Sequence, residues 1–96
     1  MKPDLSEYVA SRVAILDRVR RILRDTMKLK IEAEAIDPDA PLFGTGLGMD
    51  SVDAVELLMQ LDSVFGLYLA GSPQDFVKIR TVNTIVDAVM ELGDEP

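Results

Sequence analysis

The stretch GMDSVDAVEL, residues 48–57, places Ser51 directly behind Asp50 where a helical pattern begins, in a chain that contains neither cysteine nor histidine. A serine hydroxyl needs a base beside it to act as a nucleophile. Without imidazole or thiol the chain builds no Ser-His dyad, no thiol nucleophile and no thiolate zinc site. Lys28, Lys30 and Lys78 are remote from Ser51 in sequence, so a hydrolase using this serine ranks last among the readings. The hydroxyl suits an acceptor better. Asp50 is a good N-cap, able to accept a hydrogen bond from the amide of residue 52 or 53, which puts Ser51 at the first helical position with its hydroxyl pointing out of the helix start. A phosphate ester there would sit beside unsatisfied backbone amides and the positive end of the helix dipole. The plainer reading of Asp-Ser at a helix start is a cap and nothing more.

The neighbouring motifs exclude two other chemistries. Gly44, Gly46 and Gly48 do not make a dinucleotide fingerprint, because Met49 stands where the third glycine belongs and no strand precedes them. Asp37 and Asp39 do not begin an EF-hand, since the remaining ligand positions and the loop glycine are missing.

The elements that must position Ser51 follow from periodicity. Val9, Val13, Leu16, Leu23 and Met27, widened by Ile15, Val19 and Ile22, predict one helix from Leu5 to about Lys28, with Arg18, Arg21, Asp25 and Lys28 on the other side. The next stretch, KIEAEAIDPDAPLFGTGLG, has two prolines, three glycines and no sustained period, and reads as a loop of about twenty residues with a mobile approach to Ser51. A second helix runs from Asp50–Ser51 to about Phe65 and stops near Gly66. Ser72 and Pro73 cap and open a short turn through Phe76 or Val77. A last helix follows Thr81, with Val82, Ile85, Val86, Val89 and Leu92 on one face and Gly93 as terminator. The fold class expected is all-α, a small antiparallel bundle of three long helices and one short one. The whole of 1–96 reads as one domain, residues 1–14 partly extending the first helix and 93–96 forming a tail.

At about 100° per residue, Ala54, Leu57, Leu58, Leu61, Val64 and Phe65 form the core face of the second helix, and Val52, Val55 and Met59 cluster nearly opposite. Glu56 and Asp62 flank that second stripe, with Asp53 and Ser63 close by. An apolar strip bordered by carboxylates is the shape of a docking surface for a greasy, basic partner groove. The alternative is that Val52, Val55 and Met59 are ordinary core beneath the loop or beneath Leu67-Tyr68-Leu69.

Composition narrows the partners. The net charge of −7 is uneven: residues 1–30 carry eight Lys/Arg against four Asp/Glu, residues 31–96 two against thirteen. So acidic a surface repels nucleic acid and anionic lipid and favours a basic protein. No apolar run approaches the roughly 20 residues of a membrane span, and the first thirty residues are charged throughout, so a cytoplasmic location and no membrane insertion are expected. Met1 and the lack of flanking linkers favour a free-standing chain over an excised module.

GMDSVDAVEL, preceded by PLFGTGLG and followed by LMQLDSVFGLYL, resembles the phosphopantetheine-attachment region of acyl carrier proteins, and the order of elements agrees from about residue 15 to 92. The resemblance implies 4′-phosphopantetheine from coenzyme A on Ser51, with Asp50 as cap and motif residue, donated by a separate phosphopantetheinyl transferase. It implies a carrier, not an enzyme, that holds acyl groups as thioesters for the loading, acyl-transfer or condensing enzymes of fatty-acid, polyketide or specialised lipid synthesis. Val52, Asp53, Val55, Glu56, Met59 and Asp62 map onto docking positions for their basic surfaces, no metal is implied, and a monomer is expected. The family also shelters acyl chains between its helices, which implies such a pocket here. Val52 replaces the family's usual Leu, and Ser63 and Val64 stand where many fatty-acid carriers have carboxylates. These departures, with the longer N-terminus and a slightly long Phe65–Thr81 segment, point to a specialised carrier. An aminoacyl or peptidyl carrier, or an unmodified acidic interaction module, are the competing readings.

Overall fold

The computed structural model describes residues 5–28, 32–44 and 46–93. Four α-helices follow one another: α1 (Leu5–Met27), α2 (Ser51–Phe65), α3 (Pro73–Lys78) and α4 (Val82–Leu92), with one 3₁₀ turn at Ala33–Ala35. Among the described residues there is no strand, only an isolated bridge between Phe43 and Met49. The all-α bundle of three long helices and one short one is therefore observed.

Each of the last three helices starts at a reciprocal capping box, which satisfies amide donors that a helix start leaves orphaned. Asp50 pairs with Asp53, Ser72 with Asp75 and Thr81 with Thr84. Pro73 opens α3, where its missing N–H costs nothing. That helix extends to Lys78, slightly past the expected Phe76 or Val77. Gly66 ends α2 in the left-handed region at φ 65° and donates its N–H back to Asp62 and Leu61, a conformation that costs a side-chain-bearing residue energy.

The core is continuous across the helices. Val19 and Leu23 of α1, Leu57, Leu61 and Phe65 of α2, and Val82, Ile85, Val86 and Val89 of α4 are buried, joined by Leu42, Met49, Leu67 and Ile79 from the connections. Leu67 and Leu69 turn inward while Tyr68 between them is exposed, as an extended segment requires. The α1 and α2 helices run antiparallel: the Arg18 guanidinium lies 5.2 Å from the Phe65 ring centre at the end of α2, whereas Ile22, Asp25, Thr26 and Lys28 border Val52, Asp53, Glu56 and Gln60 towards its start.

This arrangement corrects two expectations. Val9 and Val13 are exposed, and the inward line of α1 is Ile15–Val19–Leu23, with Leu16, Ile22 and Met27 half-buried against it. The reason is length. The 23 residues of α1 span about 34 Å and the 15 of α2 about 22 Å; with Arg18 already level with Phe65, the first turns of α1 pass the end of α2. Leu92, last in α4, is exposed as well. Asp25 and Lys28 are exposed, as expected of the polar side of α1, and line the open cleft towards the start of α2.

The two faces of α2 predict opposite responses. Leu61→Ala removes a fully buried side chain and should cost about 3 kcal/mol of unfolding free energy in urea titration, whereas Val55→Ala should change stability by no more than about 0.5 kcal/mol.

Candidate functional site

Ser51 is the first residue of α2 and is exposed. Among the described residues its hydroxyl has no hydrogen-bond partner, so it is not consumed as a cap; that role belongs to Asp50. The Asp50 carboxylate accepts from the Asp53 amide at 3.0 Å, and the Asp53 carboxylate accepts from the Asp50 amide at 3.0 Å. Hydrogen bonding from the Asp53 amide, aided by the Val52 amide and outweighing slight desolvation, holds the Asp50 carboxyl below its ordinary range. A depressed folded-state value means that the cap's contribution is present above the unfolded carboxyl value, near pH 4, and fades as the pH falls through the lower folded one.

The loop before Ser51 is held at defined points. The Leu42 amide donates to the Arg80 carbonyl at 2.8 Å, the Met49 amide to the Leu42 carbonyl at 2.9 Å, and the Leu47 amide to the Pro41 carbonyl at 3.0 Å. Leu42 and Met49 are buried and anchor the doubled-back loop, with Phe43 and Leu47 half-buried beside them. Phe43 packs edge-on to Phe76 of α3, ring centres 6.4 Å apart. The turn is hydrogen-bonded at its base by the Leu42–Met49 and Pro41–Leu47 pairs.

The second stripe of α2 is a surface. Val52, Val55 and Met59 are 74%, 57% and 61% exposed, which removes the alternative that they are buried beneath the loop or beneath Leu67–Leu69. Glu56 and Asp62 beside them are exposed. At 100° per residue Ser51, Val55 and Asp62 fall within about 40° of one another, so the hydroxyl and part of the stripe share one side of α2. Asp53 is half-buried and committed to the capping box, a structural duty that its acidity alone did not reveal.

An open cleft of about 630 Å³ separates the end of α1 from the start of α2, lined by Ile22, Asp25, Thr26, Lys28, Val52, Asp53, Glu56 and Gln60. Its lining is mixed, apolar Ile22 and Val52 among polar and charged side chains, and deeper between the helices Val19, Leu23, Leu57 and Leu61 are buried in the core. Residues that sequence reasoning missed are Asn83 and Arg80, which tie the loop down from about 40 positions away, and Arg12, which braces Asn83 from α1. Periodicity carries no signal for such pairings.

The sequence profile described as "Phosphopantetheine attachment site" matches residues 17–89. An "Acyl carrier protein 2" from Ralstonia nicotianae is 35% identical over 78 residues, covering 81% of this chain and 90% of that protein. The chain belongs to the acyl carrier protein family. An "Acyl carrier protein" from Thermosynechococcus vestitus is 33% identical over 75 residues, covering 78% of this chain and 86% of its own. Family membership makes this chain a carrier and not an enzyme, with 4′-phosphopantetheine as its covalently attached group. The residues suit such a group: an exposed, unengaged hydroxyl at the amide-rich end of a helix, in a chain with no thiol of its own. Among the described residues no helix is long and apolar enough to cross a membrane.

Gly46 predicts how tightly the approach to Ser51 is built. A Cβ at Gly46 would lie within 1.6 Å of the Pro41 carbonyl oxygen, a backbone atom that cannot move aside cheaply. Gly46→Ala should break the Leu47–Pro41 hydrogen bond and cost about 2 kcal/mol or more in urea titration, with amide shift changes centred on residues 41–49 in nuclear magnetic resonance spectra.

Proposed function

We propose that Ser51 is the attachment point, receiving 4′-phosphopantetheine from coenzyme A through a phosphopantetheinyl transferase, and that the chain serves a specialised lipid or polyketide pathway. The observation that carries this reading is an exposed Ser51 hydroxyl without a partner among the described residues, behind an Asp50 that already performs the capping. When attached, the group supplies the thiol that holds an acyl cargo as a thioester. The polypeptide's part is to present the hydroxyl on a fixed helix start and to offer partners a surface.

That surface is Val52, Val55 and Met59 with Asp53, Glu56 and Asp62, an exposed apolar strip among carboxylates beside Ser51. It fits transferases and acyl-loading, acyl-transfer or condensing enzymes whose docking surfaces are apolar and basic. The proposed carrier acts as a cytoplasmic monomer, a single domain in which the first turns of α1 are an extension, and its acidic surface keeps it off nucleic acid and membrane. The usual fatty-acid docking pattern is diluted by Val52, Ser63 and Val64, which is why a dedicated pathway is favoured.

Intact-protein mass tests the attachment. Incubation with coenzyme A and a broad-specificity transferase should add one phosphopantetheine to the unmodified wild type and none to Ser51→Ala; no gain, where a control carrier is modified, sinks the assignment and leaves a stable interaction module. For the docking strip, Val55→Asp or Met59→Asp should raise the Michaelis constant for the carrier about tenfold. The wild-type constant should climb between low and physiological salt, where screening sets in at about 8–10 Å. A salt-insensitive constant would remove the carboxylates from the docking role.

A further inference from the structure

We propose that Asn83 is a positioning residue for Ser51, clasping the loop that delivers the serine. The inference rests on Ser51 being the modified residue and concerns how it is held ready for the transferase. Asn83 is the second residue of α4, where a helix leaves its backbone N–H without an intrahelical acceptor. Here that N–H donates to the Pro38 carbonyl at 3.0 Å. Its side-chain Nδ2 donates to Asp39 Oδ1 at 2.6 Å, and its Oδ1 accepts from an Arg12 guanidinium nitrogen at 3.4 Å. Arg12 is itself fixed by Asp87 at 2.6 Å. Three segments distant in sequence, α1, α4 and the loop, thus converge on one amide side chain.

The clasp bears on Ser51 through a short route. Asp39 lies three residues before Leu42, whose amide is held by the Arg80 carbonyl and whose own carbonyl receives the Met49 amide. Met49 precedes the Asp50 cap, and Ser51 is the next residue. The Asn83 bonds hold the loop upstream and the Arg80 bond holds it in the middle, so Met49 meets a Leu42 that is already placed. Removing the side-chain part of the upstream hold, while the Asn83 N–H to Pro38 bond and the Arg20 Nε bond to the Ile36 carbonyl remain, leaves the helices and their core contacts intact and widens the range of positions open to the loop between Asp39 and Met49. A transferase that engages one loop arrangement then finds a smaller fraction of carriers competent, and its apparent affinity falls in inverse proportion to that fraction. The rate of transfer within the engaged complex is unaffected.

Asn83→Leu removes both side-chain bonds while keeping the size and the backbone N–H, Asp39→Ala removes one partner, and Asp39→Asn retains an acceptor oxygen. Hydrogen exchange and steady-state transfer kinetics are measured on each full-length chain. In Asn83→Leu and Asp39→Ala, exchange of the Leu42 and Met49 amides should quicken about tenfold, with the Leu57 and Leu61 amides in α2 unchanged. The Michaelis constant for the carrier should rise about threefold to tenfold at constant kcat, and Asp39→Asn should stay near wild type in both measurements. Equal quickening of all four amides would reduce Asn83 to a general stability residue. Unchanged loop exchange, or quickened loop exchange with an unchanged Michaelis constant, would likewise overturn the clasp. Exchange is read without modification, so a wild type that never gains mass marks failure of the Ser51 assignment separately from failure of the clasp.

Discussion

Leu42 is hydrogen-bonded through both halves of its backbone, its amide to the Arg80 carbonyl and its carbonyl to the Met49 amide, with its side chain fully buried. The α2 start depends on this double bond. A helix that begins after a long irregular loop has no neighbour in sequence to fix its direction or depth, and loop closure costs conformational freedom that something must offset. Leu42 meets that cost with a side chain in the core and two bonds in an environment where unpaired amides are costly. Met49 is thereby buried, Asp50 sits at the right distance to cap, and Ser51 is left facing solvent on a rigid base.

A division of labour on α2 follows. Its inward face, Ala54, Leu57, Leu61 and Phe65, holds the bundle together, while its outward face holds almost nothing and is free to serve recognition. Val52, Val55 and Met59 are exposed, so changes to them cost the core little. Asp53 sits at the boundary, half-buried and bonded to Asp50, so it serves the cap and the acidic surface together. A carrier must be handled by several enzymes in turn.

The capping boxes show the same economy. Asp75, like Asp50, is a short acid near a helix start whose oxygen collects backbone amides: those of Ala70, Gly71 and Ser72 lie 2.8, 3.1 and 3.3 Å from one Asp75 oxygen. Partial desolvation raises its carboxyl, yet the bonds from Ser72, Ala70 and Gly71 outweigh that and hold it below the ordinary range. Several carboxylates of this acidic chain are thus consumed in local structure. They keep their charge while doing so.

The sequence by itself determined the helices, their caps and the serine's exposed place, because these depend on residues within four positions of one another: Asp50 with Asp53, Thr81 with Thr84, and the repeat of Ala54, Leu57, Leu61 and Phe65. It also revealed both faces of α2, since angle around a helix follows from spacing alone. The tertiary structure decided which part of a long apolar stripe is covered. Ile15 and Val13 are equally apolar, but only Ile15 is buried, because helix lengths and crossing points depend on every other element. It alone decided how the loop is tied, through Asn83 to Asp39 and Arg80 to Leu42, since a bond between a backbone carbonyl and an amide 38 residues away leaves no pattern in residue types. And it alone opened a mixed-lined cleft between the end of α1 and the start of α2, because the volume left over depends on how completely Val19, Leu23, Leu57 and Leu61 fill the interior.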